Sequence, residues 1–306
     1  MKFADPKSDI AFKKIFANEN KKEILISFLN AVLGLEGRKA IVDVTILNPY
    51  QAPKIEGLKE TMLDVRAKDQ EGITFIVEMQ VEKQECFAKR ALYYSSKAYS
   101  SQIGQSVDYP KLNQVIFIGI LNFTIFEGTD YLSRHLILNT TTLKQDIKDL
   151  EFNFIELPKF TKSPAELTGI TEKWIYFLRN AENLKVIPEN AADTLELKEA
   201  YESASQFNWT QEEIDIYDSW GVREGTALDV FNTAKKDARM EGLMEGLMEG
   251  EAKGKAEGKA EGKAEGKAEG KAEGKAEGKA EGLQEALARM IANGMSEKDA
   301  RTILGM

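Results

Sequence analysis

Asp64 and Glu78 are the acidic side chains that this sequence is best placed to bring together for chemistry. They lie in segments 61–68 and 73–82, and each segment alternates apolar and polar residues with a period of two. Such alternation is typical of β-strands that bury one face. Because only a short glycine-containing stretch separates the segments, the sequence predicts a β-hairpin.

The loop of this hairpin decides which residues face one another. Gln70-Glu71-Gly72 fits a common three-residue connection in which the glycine takes the left-handed conformation. That loop pairs Asp69 with Ile73, and counting back along both strands brings Asp64 opposite Glu78. A loop one residue shorter or longer would place the two carboxylates on opposite faces.

Two facing carboxylates predict a cation site. At about 5 Å between Cβ atoms the two charges repel each other unless a positive charge lies between them. A hard divalent cation with oxygen ligands meets this need, so we expect Mg²⁺, with Ca²⁺ or Mn²⁺ as alternatives. The other interpretation is a solvated hairpin face whose charges are balanced by Arg66 and Lys68.

The composition argues against a zinc site and against a serine nucleophile. The chain has one cysteine, Cys86, and one histidine, His135, which excludes a zinc site of the usual Cys/His type. No GxSxG elbow accompanies His135, so a serine triad is not indicated. We interpret His135 as a structural or surface residue and Cys86 as a bystander.

The remaining pattern predicts an α/β fold, a mixed sheet flanked by helices. The run 114–122 is almost continuously apolar, which is typical of a strand covered on both faces. Further strands are predicted at 41–48, 134–140 and 152–157. Helices are predicted at 7–17, 20–34, 86–106, 171–183, 192–205, 210–220, 283–292 and 297–304.

These elements divide the chain into four parts. We expect an α/β domain over residues 1–160, a helical accessory region over 161–240, a spacer over 241–282 and short C-terminal helices over 283–306. Seven consecutive GKAE copies fill most of the spacer. Interior glycines and like charges four residues apart weaken a helix there, so we expect a solvated, partly helical segment. The terminal helices are a candidate homo-oligomer contact through Leu287, Ile291 and Leu304.

Charge and hydropathy limit which partners are expected, membranes and nucleic acids in particular. No apolar run is long enough to span a membrane, and the start does not resemble a signal peptide, so a cytoplasmic protein is expected. The net charge is −9, yet residues 1–130 carry as many basic as acidic side chains. No basic stripe is visible, so we expect only modest affinity for nucleic acid.

The hairpin and its surroundings resemble the PD-(D/E)XK nuclease superfamily, in which an aspartate and a Glu-x-Lys lie across a hairpin. The particular form, LDVR at 63–66 and IVEMQ at 76–80, resembles the Rpn/YhgA-like branch of recombination-promoting nucleases and transposases. Other matching pieces are SDIAFKKIF at 8–16, Phe87 with Arg90 and Tyr94, Gly104 to Tyr109, the strand from Val115, and the GKAE-type tail.

This resemblance implies a restriction-endonuclease-like core and site roles. Asp64 and Glu78 would hold Mg²⁺ together with the backbone carbonyl of Met79, and Gln80 would position water. Asp9 is implied as a further metal-site carboxylate, although it fits a helix N-cap equally well. The superfamily usually has lysine where this chain has Gln80, and glutamine carries no charge, so we expect a slow or regulated enzyme.

A predicted helix carries a candidate phosphate-binding face. Arg90, Tyr94 and Lys97 lie at positions i, i+4 and i+7 and share one side of that helix. They could bind phosphate or DNA at the active site, or form a plain solvated face.

Together these observations predict metal-dependent hydrolysis of DNA phosphodiesters, with DNA as partner and a role in recombination. The rival prediction is a catalytically weak or inactive nuclease-fold protein that binds DNA or another protein.

Overall fold

The computed structural model describes residues 2–51, 61–83, 86–103 and 108–306, and it divides into two compact units, Met1–Glu224 and Gly225–Met306. The first unit is built on a mixed six-stranded sheet flanked by helices, as the sequence predicted. The domain boundary predicted at residue 160 falls inside this unit. Within the described part of the chain, no helix is long and apolar enough to cross a membrane.

The sheet has the strand order β1-β4-β5-β6-β8-β7, and β2 and β3 form a separate two-stranded ribbon. The central strands β5, β6 and β8 are parallel, and the outer pairings β1–β4, β4–β5 and β7–β8 are antiparallel. The strands are β1 Val44–Ile46, β2 Tyr50–Gln51, β3 Thr61–Met62, β4 Val65–Asp69, β5 Thr74–Gln80, β6 Val115–Leu121, β7 Leu132–Leu136 and β8 Leu150–Glu156.

The first five helices follow the predicted order with changed ends, the sixth differs as described below, and the last has the predicted bounds. They are α1 Asp9–Phe16, α2 Lys22–Leu33, α3 Phe87–Ser100, α4 Ile170–Asn180, α5 Leu195–Ala204, α6 Gln211–Ala292 and α7 Glu297–Leu304. Helix α3 ends six residues before the predicted end at 106, and residues 104–107 lie outside the described part. Strand β1 is shorter than the predicted 41–48, because the backbone groups of Ile41 bond to the Asn30 side chain instead.

The hairpin register that the sequence predicted is confirmed. Val65 pairs with Val77, and the Asp69 amide donates to the Ile73 carbonyl at 3.1 Å. Gly72 has a φ of +91°, the left-handed conformation that the three-residue loop requires. The loop therefore fixes which residues of β4 face β5.

We expect Gly72→Ala to destabilise the first unit by about 1–3 kcal/mol, since an added Cβ is strained at positive φ. The Cβ would also lie 2.7 Å from the Asn113 side-chain nitrogen. Gly128→Ala is the matched control, because Gly128 has a φ of +90° but no atom within 4 Å of the added Cβ. Urea denaturation of both variants measures the difference. Equal losses would show that the contact with Asn113 costs nothing.

One detail of the alternation was wrong. Leu63 was expected on the same sheet face as Val65 and Ala67, but it packs into the apolar cluster of the opposite face. The chain bends at Asp64, and the Leu63 amide donates to the Pro49 carbonyl at 3.1 Å. The regular alternation of β4 therefore begins only at Val65.

Two apolar clusters cover the two faces of the sheet. The α1 face carries Val65, Ala67, Val77 and Met79, and it packs with α1, α2, α4 and α5 in one core. The α3 face carries Leu63, Ile76, Val115, Phe117, Leu121 and Phe154, and it packs under Phe87, Ala91, Tyr94 and Ala98 of α3. Helices therefore lie on both sides of the sheet, as predicted.

Gly119 lets α3 come close to the sheet. It pairs with Glu78 in the β5–β6 register. A Cβ at this position would lie 3.1 Å from Phe87 of α3, 3.0 Å from Phe154 and 3.2 Å from Phe117. Because these distances are tighter than ordinary van der Waals contact, three aromatic rings fill the space that the missing side chain leaves.

The long helix α6 departs from the prediction. The short helices expected at 210–220 and 283–292, and the partly helical spacer, are instead parts of the single helix Gln211–Ala292. Three of every four residues in the GKAE repeat are lysine, alanine or glutamate, which are among the best helix formers, and they outweigh the glycine at the fourth. The side chains of the repeat are exposed, as the prediction of a solvated segment required.

Candidate metal centre

The two predicted carboxylates meet where β4 and β5 separate. Asp64 lies in the bend before β4, and Glu78 lies near the end of β5. The Met79 amide donates to Asp64 Oδ2 at 2.7 Å, and the Asp64 amide donates to Glu78 Oε1 at 3.2 Å. Each carboxylate is thus anchored by a backbone N–H on the strand of the other, which fixes the pair before any ligand arrives.

The backbone carbonyl of Met79 lies on the Asp64 side of β5. In a strand, the N–H and C=O groups of one residue point to the same neighbour, and the Met79 amide points to Asp64. The N–H that would continue the β4–β5 ladder opposite Met79 belongs to Leu63, and it donates to Pro49 instead. The carbonyl is therefore released from the ladder beside the carboxylate pair.

Burial disfavours the ionised form of both carboxylates. Glu78 is 4% exposed. Desolvation raises the pKa of Asp64 to about 6, and the negative charge of Asp9 adds to this. Desolvation and the neighbouring Asp64 raise the pKa of Glu78 to about 8. A fully solvated face is therefore excluded for Glu78, which lacks the water that would screen its charge, whereas Asp64 is half-buried.

Arg66 and Lys68 do not balance the pair. Within the described ranges, neither forms a salt bridge with any acidic residue. The charges of Lys13 and Arg90 instead partly offset the rise in the pKa values of both carboxylates. Arg66 and Lys68 therefore leave the negative charge of Asp64 and Glu78 unbalanced.

Asp9 is not the N-cap of α1. The Ser8 side chain caps the helix by accepting from the Ala11 amide, and Asp9 occupies the first helical position. Its carboxylate forms a 2.7 Å ion pair with Lys13, one turn further along α1. The charges of both act on Asp64, so the start of α1 lies within electrostatic range of the carboxylate pair.

The sequence analysis did not predict that the charge of Lys13 acts on the carboxylate pair. Lys13 stands in the SDIAFKKIF segment, and it lowers the pKa of both carboxylates. The signal was its spacing of four residues from Asp9, which places both side chains on one face of α1.

Gln80, Arg90 and Tyr94 form one network beside the pair. Arg90 donates to Gln80 Oε1 at 3.3 Å, and its Nε and Nη2 donate to the Tyr94 hydroxyl at 3.2 and 3.0 Å. The guanidinium also lies over the rings of Phe87 and Tyr94. The structure therefore joins three predicted site residues from β5 and α3 next to Glu78.

A comparison with protein families decides the relationship. Residues 6–229 match the family described as PD-(D/E)XK nuclease family transposase. The chain belongs to this family. No match was found among the curated proteins or among the solved structures.

Membership in the PD-(D/E)XK nuclease family transposases supports a nuclease-type function, and PD-(D/E)XK nucleases generally use divalent metals. In the part of this family member that the structure describes, no group of three or more His, Cys, Asp or Glu side chains converges to hold an ion. Any cation bound by Asp64 and Glu78 therefore needs further oxygen ligands in addition to these two carboxylates, such as backbone carbonyls and water.

The other candidates lie as follows in this family member. Lys97 is on α3 one turn beyond Tyr94 and is half-buried. His135 packs its ring 4.6 Å from Phe126, consistent with a structural residue. Cys86 is exposed and directly precedes α3.

Proposed function

We propose that this protein is a metal-dependent DNA endonuclease that hydrolyses phosphodiester bonds. One observation carries the proposal: Asp64 and Glu78, two acids with raised pKa values, are held together by backbone amides at a split between two strands. A buried acidic pair costs folding free energy in the absence of a cation. Its presence in a chain of a nuclease family is best explained by a metal that it binds in use.

The donor set fits a hard divalent cation. One oxygen of each carboxylate is held by a backbone N–H, which leaves Asp64 Oδ1 and Glu78 Oε2 as candidate ligands. The Met79 carbonyl supplies a third oxygen on the same side. Oxygen-only ligands favour Mg²⁺, with Mn²⁺ or Ca²⁺ as alternatives. A cation bound there lowers the pKa of water and stabilises negative charge on phosphate.

The neighbouring side chains present donors to the substrate. Since Gln80 Oε1 accepts from Arg90, the Gln80 amide nitrogen is the group left to face a phosphate oxygen. Arg90 adds a positive charge that its contacts with Gln80 and Tyr94 hold in place. We assign both residues to hydrogen bonds with the phosphate, with Lys97 further along the same helix. Asp9 is a further candidate ligand that would first have to leave Lys13.

The second candidate function is a catalytically weak or inactive protein that binds DNA. Gln80 favours it, because the position that usually carries lysine in the superfamily has no charge here. Lys13 and Arg90 both act on the carboxylate pair, so the site as a whole does contain positive charge. For this reason we place the nuclease first.

Nicking of supercoiled plasmid by the purified full chain tests the proposal. We expect relaxed circles to accumulate with Mg²⁺ or Mn²⁺ and none with EDTA. Metal binding with no nicking, under conditions where the protein is folded and binds the plasmid, would favour the binding protein instead.

Gln80→Lys restores the usual superfamily residue, and we expect it to lower the nicking rate about tenfold rather than raise it. The variant loses the hydrogen bond from Arg90 and places a second cation beside that guanidinium. Folding and metal binding should persist, because Gln80 is half-exposed and is not among the proposed ligands. Nicking rate, metal titration and thermal unfolding check the three statements. A faster enzyme would show that Gln80 limits the chemistry.

A further inference from the structure

Two cations of β4 lie on the α3 face without a hydrogen-bond or ion-pair partner among the residues that the structure describes. Arg66 and Lys68 occupy alternate positions of the strand, so they share the side opposite to Val65 and Ala67. Both are half-buried. Neither makes a hydrogen bond or ion pair with its side chain in the described part of the chain, and the buried Arg66 Nε donor has no acceptor.

The residues that lie opposite Arg66 and Lys68 on the adjacent strands are not acidic. Arg66 lies opposite Ile76 on β5, and Lys68 lies opposite Thr74. On the other side, Lys68 lies opposite Thr45 of β1. The fold therefore places no carboxylate directly across from either cation.

This situation differs from that of other shielded cations in the protein. Lys7 pairs with Asp5 and Lys159 pairs with Glu156, each at 2.5 Å. Leaving a guanidinium partly dehydrated without an acceptor costs free energy. An anion that arrives with the substrate would supply acceptors to the exposed part of each half-buried side chain.

The row begins at the candidate metal centre. Asp64 directly precedes β4, and Arg66 and Lys68 are the second and fourth residues of that strand, about 7 Å apart along it. A row of separated cations suits a linear polyanion better than a single small anion, which would be held from several sides at one point. Arginine is also well suited to phosphate, because its planar donors can bind two oxygens at once.

We propose that Arg66 and Lys68 bind backbone phosphates of the nucleic acid next to the bond that the metal centre cuts. This inference rests on the proposed function for the choice of substrate. Contacts of this kind position the strand without reading its sequence. The row gives the acidic chain a local site for DNA, even though its overall charge opposes binding.

The test measures DNA binding by the full chain in EDTA, so that neither metal nor cleavage enters the result. A fluorescein-labelled duplex is titrated with the parent, Arg66→Met, Lys68→Met and the double variant, at several salt concentrations. Lys198→Met is the matched control, because Lys198 is exposed on α5, which packs with the α1 face. We expect each single variant to lose about tenfold in affinity and to reduce the salt slope by about 1.

A stability readout separates ligand binding from a structural role. Arg66→Met removes an unpaired, partly buried charge, so its melting temperature should be unchanged or higher while its DNA affinity falls. Arg66→Lys should recover part of the affinity. The inference is overturned if the parent does not bind DNA, if Lys198→Met weakens binding as much as Arg66→Met, or if Arg66→Met loses affinity only because it unfolds.

Competition with inorganic phosphate identifies the source of the anion. At matched ionic strength, phosphate should displace DNA no better than chloride does. Specific displacement by phosphate would mean that the row is a site for free phosphate and would overturn the assignment to nucleic acid. If the parent does not nick plasmid but binds DNA in a way that depends on Arg66, the proposed nuclease is rejected and this inference stands.

Discussion

Glu78→Gln should abolish metal-dependent nicking, with a loss on the order of 10³-fold or more, and should stabilise the metal-free protein. Glutamine keeps the oxygen that accepts from the Asp64 amide but cannot supply a charged ligand. Asp64→Asn should behave in the same way, because its side-chain oxygen can still accept from Met79.

The stability gain has a defined pH dependence. The pKa of Glu78 is raised from 4.5 to about 8 by burial and by Asp64. Ionisation of this acid therefore opposes folding, and the cost grows as pH rises from the unfolded value to the folded one. Glu78→Gln should unfold like the parent near pH 4 and be more stable near pH 9, by a few kcal/mol.

Thermal unfolding followed by tryptophan fluorescence measures this, since Trp174 is fully buried in the first unit. Glu71→Gln is the control, because Glu71 is an exposed acid in the hairpin loop. A Glu78→Gln variant that nicks DNA at the parent rate would refute the site. A loss of stability at pH 9 would show that the Glu78 charge has a compensating partner.

Metal affinity should rise by roughly 500-fold between pH 5.5 and pH 8. At pH 5.5 both carboxylates hold protons, because the pKa of Asp64 is about 6 and that of Glu78 about 8. A cation has to displace these protons, so its binding strengthens as they leave and releases protons into the buffer. The increase in melting temperature with Mg²⁺ should accordingly be larger at pH 8.

Calorimetric titration in two buffers of different ionisation enthalpy counts the protons released. Asp64→Asn serves as the control and should bind weakly at every pH. An affinity for the parent that does not change from pH 5.5 to pH 8 would place the metal away from the Asp64–Glu78 pair.

The hairpin could be read from the sequence because local rules determine it. A period-two pattern and the glycine at 72 leave one register that keeps each apolar set together, and this register pairs Val65 with Val77. The juxtaposition of Asp64 and Glu78 follows from the same rules, although the 64–78 separation is long.

The burial of the pair could not be read in the same way. Alternation in β5 indicates one buried face and does not say what covers the other, which is why a solvated face remained an alternative. Glu78 is buried because α3 packs over that face, and this packing joins residues that are distant in the chain. The hydrogen bond from Arg90 to Gln80 has the same origin.

The length of α6 shows the limit of adding local preferences. Glycine cost and like-charge repulsion were both weighed against a helix in the repeat, and they predicted a segment that is only partly helical. The lysine, alanine and glutamate of each copy favour the helix strongly enough to extend it through the repeat.

The glycine at 119 has an evolutionary consequence. It sets the height of α3 above the sheet, because Phe87 at the start of the helix touches the space where a side chain would be. Arg90 lies one turn later and reaches Gln80 only from that height. Relatives with a larger residue at this position should therefore carry smaller ones in place of Phe87, Phe117 or Phe154, so that substitutions at these four sites covary although none of them is among the proposed ligands.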